Sequence, residues 1–123
     1  MTYFENAYLG RRVLVTGHTG FKGSWLSTWL ESLGAEVAGF SIDIPTTPSN
    51  FSLLGLEKRV RHYLGDIRDL DRLTQVIDEF RPEIIFHLAA QSLVRGSYTD
   101  PVTTFQTNAM GTLNLLECVR VRP

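Results

Sequence analysis

Thr16-Gly17-His18-Thr19-Gly20-Phe21-Lys22-Gly23 follows the short run Val13-Leu14-Val15 and leads directly into a segment with helical periodicity. The β-branched run reads as a buried parallel strand, and the glycines as the turn that feeds its helix. The first N–H groups of such a helix lack intrahelical partners and lie at the positive end of its dipole, so a pyrophosphate can rest there. In that reading Gly17 permits the tight turn, Gly20 removes the Cβ that would hold phosphates off the backbone, and Gly23 lets the helix pack closely on the strand. A Walker-type phosphate loop is excluded, because Lys22 is followed by Gly23 and not by Ser or Thr after a Gly-Lys pair. His18, Phe21 and Lys22 share the turn and are candidate cofactor neighbours; for Lys22, a solvated lysine on the first helical turn fits the pattern as well.

Outward from the turn, Phe21, Trp25, Leu26, Trp29, Leu30 and Leu33 recur at three- and four-residue spacing, the stripe of an amphipathic helix, and Gly34 supplies a left-handed stop. Residues 37–42 predict a second strand. Pro45 and Pro48 then interrupt regular structure, with Ser49 capping a short turn through about Gly55. Residues 61–64 predict a third strand, and Asp69 opens a helix with Leu70, Leu73, Val76, Ile77 and Phe80 on one face, ended by Pro82. Residues 84–88 predict a fourth strand, apolar on both faces, so helices must cover both sides of the sheet. Residues 92–99 read as a loop at the mouth of the cleft, where Arg95, Ser97 and Tyr98 stand within reach of a phosphorylated substrate. Asp100-Pro101 opens a last helix with Val102, Phe105, Ala109, Leu113 and Leu116 on its packing side and Thr104, Asn108, Gly111 and Thr112 as a polar stripe.

This order predicts an α/β fold, the N-terminal part of a Rossmann-type doubly wound parallel sheet with about four strands and helices on both faces. A complete dinucleotide fold has about six strands in the order 3-2-1-4-5-6. Residues 1–123 are therefore expected to form one NAD-binding domain cut short, with the catalytic and substrate-binding parts beyond Pro123.

Two carboxylates suit the adenosine half of a dinucleotide. Asp43 ends the second strand 20 residues after Gly23, where it would accept from the ribose hydroxyls and repel a 2′-phosphate, which selects NAD over NADP. Asp66, with the backbone of Ile67, lies just past the third strand at the adenine edge, whereas Asp69 is better explained as a helix cap. After the fourth strand, Ala89 and Ala90 let a flat cofactor pass close to the backbone. His87 reads as a satisfied core histidine. Asn108, a poor helix former inside a helix, is expected to reach backbone or water near the cofactor.

With 43% hydrophobic and 20% charged residues and a net charge of −1, the chain has no basic field for nucleic acid and no polybasic patch for a membrane surface. Cys118 is the only cysteine, so neither an internal disulfide nor a Cys-based zinc cluster is available. No apolar run suits a signal peptide or a membrane span, and the expected compartment is the cytoplasm.

The Thr-Gly-x-x-Gly-x-x-Gly spacing from Thr16 resembles that of short-chain dehydrogenases. Phe21-Lys22-Gly23-Ser24-Trp25, Pro45-Thr46-Thr47-Pro48-Ser49, Gly65-Asp66-Ile67-Arg68-Asp69, His87-Leu88-Ala89-Ala90-Gln91 and Thr107-Asn108-Ala109-Met110-Gly111-Thr112 narrow the likeness. Together they resemble the nucleotide-sugar dehydratases of the extended short-chain (NAD-dependent epimerase/dehydratase) family. The resemblance implies a lyase that holds NAD, oxidises a nucleotide sugar at C4, eliminates water across C5 and C6 and returns the hydride to C6. CDP-glucose is the implied substrate and deoxysugar synthesis for surface polysaccharide the implied pathway. By position Gly17, Gly20, Gly23, Asp43, Asp66, Ile67, Ala89, Ala90 and Gln91 would bind the cofactor, with Asn108 a helper. The resemblance also implies a dimer for the intact parent, built across the final helix. The family's catalytic Tyr-x-x-x-Lys pair is absent: Ala7, Arg12, Ile67 and Val102 stand four residues after the tyrosines, and Lys22 and Lys58 are the only lysines. The chain alone is expected to be inert and to bind the adenosine half weakly at best. A nucleotide-sugar epimerase and an inactive fragment are the alternatives.

Overall fold

The structure, a computed structural model, describes residues 2–44 and 47–122. Pro45 and Thr46, part of the motif used above, lie outside the described residues, as does Pro123. Four parallel strands form one sheet in the order β3-β2-β1-β4: β1 Arg12–Thr16, β2 Glu36–Ser41, β3 Arg61–Leu64 and β4 Ile84–His87. This order matches the first four strands of a doubly wound sheet, with the switch point between β1 and β4. Because the strands are parallel, all four carboxyl ends share one edge, and Thr16, Ser41, Leu64 and His87 mark it.

Alternation along β1 explains why both faces need cover. Val13 and Val15 join Leu30, Ala35, Val37, Phe51, Leu56 and Val60 on one side. Leu14 joins Phe40, Ile67, Leu73, Val76, Ile77, Phe80, Leu115 and Cys118 on the other. The first side is roofed by α1 (Phe21–Ser32) and the short α2 (Asn50–Leu53), the second by α3 (Leu70–Phe80) and α6 (Gly111–Arg120). Ser49 caps α2 by accepting from Ser52 N at 3.0 Å. Asp69 caps α3 by accepting from Arg72 N at 3.1 Å. Asp69→Ala should lower stability by about 1 kcal/mol, seen in a urea melt as a lower midpoint with unchanged slope; an unchanged midpoint would show that water replaces the cap without loss.

Three sequence expectations change. First, α1 buries Gly23, Ser24, Ser27 and Leu30, while Phe21, Trp25 and Trp29 of the expected stripe are 70%, 51% and 53% exposed. The serines can be buried because their hydroxyls bond locally, Ser24 Oγ to His18 O and Ser27 Oγ to Gly23 O. Second, residues 92–99 are not all loop: Val94–Thr99 is a helix, α4, packed where Gly96 meets the Gln91 side chain. Third, the last helical stretch is α5 (Pro101–Phe105), a wide turn Gln106–Met110 closed by Gly111 N on Gln106 O, and α6. The inserted turn rotates the pattern, so Gly111, Leu115 and Cys118 face the core and Val102, Phe105, Ala109, Leu113 and Leu116 are exposed.

Candidate functional site

The glycine turn joins β1 to α1 at the carboxyl edge of the sheet. Gly17 has φ +77°, donates its N–H to Phe40 O at 2.8 Å, and lies where a Cβ would stand 2.8 Å from Ala89 N. Only glycine meets both conditions. Gly23 packs on the turn itself, not on the strand: a Cβ there would fall 2.1 Å from Gly17 O and 2.8 Å from His18 Cα. Gly20 is different. Its Cβ position touches only Gly17 O at 3.4 Å, so the protein leaves that space open. Gly20 is also the N-cap of α1, and with no side chain it caps none of the first-turn N–H groups. An open cradle of uncapped donors at the start of a twelve-residue helix has the chemistry to receive a pyrophosphate. Phe21 and Lys22 begin that helix with exposed side chains.

Thr19 ties this turn to the end of β2. Its buried hydroxyl lies 2.7 Å from Ser41 Oγ and donates to Asp43 O at 2.5 Å. Asp43 is thereby fixed through its backbone while its carboxylate stays exposed beside the turn, free to accept from a ribose. Asp66 sits past β3 in a two-pronged pair with Arg68, whose guanidinium holds the carboxyl below the usual carboxylate range. That pairing leaves the adjoining backbone as the simpler contact for an adenine. Ile67 is buried against Gly111, and its carbonyl accepts from Asn114 Nδ2 at 3.1 Å.

The loop after β4 completes the edge. Asn108, on the wide turn, grips the Gln91 backbone at both ends: Gln91 N donates to Asn108 Oδ1 at 2.8 Å, and Asn108 Nδ2 donates to Gln91 O at 3.0 Å. Its reach to backbone matches the sequence expectation. Gln91 in turn bonds Leu93 and Thr104 through its own amide. Ala89 and Ala90 lie between, half-buried and exposed. His87 is satisfied on both ring nitrogens, by Thr16 and by Thr112.

His18 is fully buried beneath the turn, its ring against Gly39, Phe51 and His62, with Nε2 2.6 Å from His62 Nδ1. It can offer a ligand only its backbone. Arg95 and Tyr98 are exposed on α4, and the Ser97 hydroxyl is taken up by Val94 O. Sequence reasoning missed Thr16, Thr19, Ser41 and His62. Thr16 and Ser41 each end a strand, which was a usable signal; the bonds between Thr19 and Ser41 and between His18 and His62 span 22 and 44 residues and left none.

Fold and edge together define a Rossmann-type parallel sheet of the short-chain dehydrogenase kind. The GDP-mannose 4,6 dehydratase family model matches residues 14–122, and the chain belongs to that family. It is 54% identical over 116 residues to a CDP-glucose 4,6-dehydratase of Salmonella typhimurium, covering 94% of this chain and 32% of that protein. To a GDP-mannose 4,6-dehydratase of Vibrio cholerae it is 34% identical, covering 90% of this chain and 32% of the relative. Among solved structures, the NAD complex of Thermus thermophilus UDP-glucose 4-epimerase superposes with TM-score 0.79 at 38% identity, covering 89% of this chain and 33% of that one. The chain spans about a third of the length of the curated relatives it matches. Among the described residues, no helix is long and apolar enough to cross a membrane.

Proposed function

We propose that the chain is the cofactor-binding part of an NAD-dependent nucleotide-sugar 4,6-dehydratase that acts on CDP-glucose. The observation that carries the cofactor reading is the open, uncapped turn at Gly20 with the exposed Asp43 carboxylate beside it, both at the switch-point edge. The 54% identical relative supports the substrate. Gly17, Gly20, Gly23 and the backbone of His18, Phe21 and Lys22 hold the pyrophosphate. Asp43 binds the adenosine ribose, Asp66 and Ile67 border the adenine, and Ala89, Ala90 and Gln91 lie along the rest, with Asn108 fixing Gln91. NAD, when bound, supplies hydride acceptance and return at the sugar. These residues bind and orient; the groups that move protons at the sugar belong to segments after Pro123, which add the remaining strands and the substrate-binding part. The protein works in the cytoplasm, in deoxysugar synthesis.

The intact protein is a homodimer in this reading. The exposed apolar residues Val102, Phe105, Ala109, Leu113 and Leu116 support it, as exposed apolar side chains on these helices suit a helix pair across a two-fold axis.

Calorimetric titration with NAD, NADP and ADP-ribose tests the cofactor reading. NAD should bind more tightly than NADP, and Asp43→Ala should narrow the gap by about tenfold, the scale of one lost charge-assisted contact and one removed repulsion. Equal affinities in the parent chain would refute the role of Asp43.

A further inference from the structure

His87 closes β4 with hydrogen bonds that run in one direction only. The Thr112 hydroxyl, one turn after Asn108, donates to Asn108 O at 2.6 Å, and a carbonyl can only accept. Toward His87 Nε2, 3.0 Å away, the same hydroxyl must therefore accept, which puts the ring proton on Nε2. The other ring nitrogen, Nδ1, is then an acceptor, and Thr16 Oγ1 donates to it at 2.6 Å. With its proton committed, Thr16 Oγ1 has two lone pairs left, and Leu88 N and Ala89 N each donate to it at 3.1 Å. The Leu88 N–H is shared with Thr16 O at 3.0 Å, so Ala89 N–H is the donor that Thr16 Oγ1 holds alone.

The elements joined are the end of β1, from which the glycine turn departs, the loop after β4, and the start of α6 with its wide turn. At the far end the Asn108 side chain holds Gln91 from the opposite side. Ala89 to Gln91 are thus pinned at both ends, one end on Thr16 and the other on Asn108. Gly17, whose missing Cβ makes room for Ala89 N, sits directly against this pinned backbone.

We propose that His87 is a positioning residue, its Nε2–H tautomer forming a one-way relay from Ala89 through Thr16 and Thr112 to Asn108 that sets the loop Ala89–Gln91 at the height a dinucleotide needs. The role rests on the cofactor reading above; the relay itself does not. Burial also lowers the pKa of His87, in keeping with a ring that stays neutral. A doubly protonated ring would turn Nδ1 into a donor facing a hydroxyl that already accepts twice.

The test separates relay from role. In the ¹⁵N-labelled chain, the two ring nitrogens of His87 should show a protonated Nε2 and an unprotonated Nδ1 at neutral pH. A protonated Nδ1 overturns the relay whether or not any ligand binds. By titration followed by NMR, Thr112→Val, which removes the acceptor and keeps the shape, should weaken NAD binding about tenfold and leave ADP binding unchanged, because the glycine turn and Asp43 are untouched. Thr112→Ser should restore NAD binding. NAD affinity unchanged in Thr112→Val overturns the positioning role. If the parent chain binds neither NAD nor ADP, the cofactor reading and the role fall together while the tautomer still judges the relay. If Thr112→Val does not fold, the role is judged on His87→Phe, which keeps a planar ring with neither donor nor acceptor: it should show the same selective loss of NAD binding, and unaltered NAD affinity would overturn the role.

Discussion

Gly23→Ala should destabilise the chain by about 3 kcal/mol and abolish dinucleotide binding, the upper range for overpacking a rigid site. The added Cβ would lie 2.1 Å from Gly17 O and 2.8 Å from both Gly17 C and His18 Cα, all backbone. None can retreat cheaply. Gly17 N is bonded to Phe40 O at 2.8 Å, Gly17 stands against Ala89, and His18 is wedged under the turn. Gly20→Ala is the control, since its Cβ meets only Gly17 O at 3.4 Å and its φ of −71° suits any residue. That variant should keep its urea midpoint and still lose NAD affinity, because the methyl occupies ligand space and not protein space. A Gly23→Ala chain melting with the parent would refute the packing account, and a Gly20→Ala chain binding NAD normally would refute the cradle.

The second large effect is acid destabilisation through His18. Burial, then the neighbouring His62, push its pKa down to about 4 from an ordinary 6.5. In the folded chain Nδ1 has no partner and Nε2 faces His62 Nδ1, so an added proton finds a desolvated site beside another base. Between pH 6.5 and 4 the unfolded chain binds this proton and the folded chain does not, so stability rises with pH through that window. The contribution is complete above about pH 7. From pH 7 to 4.5, above the pKa values of the lowered carboxylates, stability should fall by roughly 2 to 3 kcal/mol. His87, also lowered by burial, acts in the same direction. Urea melts at half-unit intervals of pH would show the slope, and His18→Gln should remove most of it. A flat profile down to pH 4.5 would mean that His18 is protonated in the native state without cost.

Much of this site was legible because its chemistry is local. Glycines at three-residue spacing between a strand and a helix specify the turn wherever they occur, and the caps at Ser49, Asp69 and Asp100 bond to N–H groups three residues on. Asp43 was singled out by its distance past the turn, and the structure leaves its side chain exposed there. The backbone reach of Asn108 followed from its poor fit to a helix interior. Less legible was how the site is braced, since the braces are side-chain bonds between distant segments.

By itself the sequence determined the order of the four strands, the parallel α/β class and the glycine turn between β1 and α1, since all of these rest on periodicity, capping and spacing within a few turns of chain. Tertiary structure decided which face of α1 is buried. Periodicity reveals a stripe but not its direction, and the crowded turn at Gly17 and His18 admits Gly23, Ser24 and Ser27 where Trp25 and Trp29 have no room. It likewise decided the burial of His18 in the space that Gly39 leaves empty and the partners of both His87 ring nitrogens. Each depends on atoms that meet only when β1, β2, β3 and β4 are laid side by side.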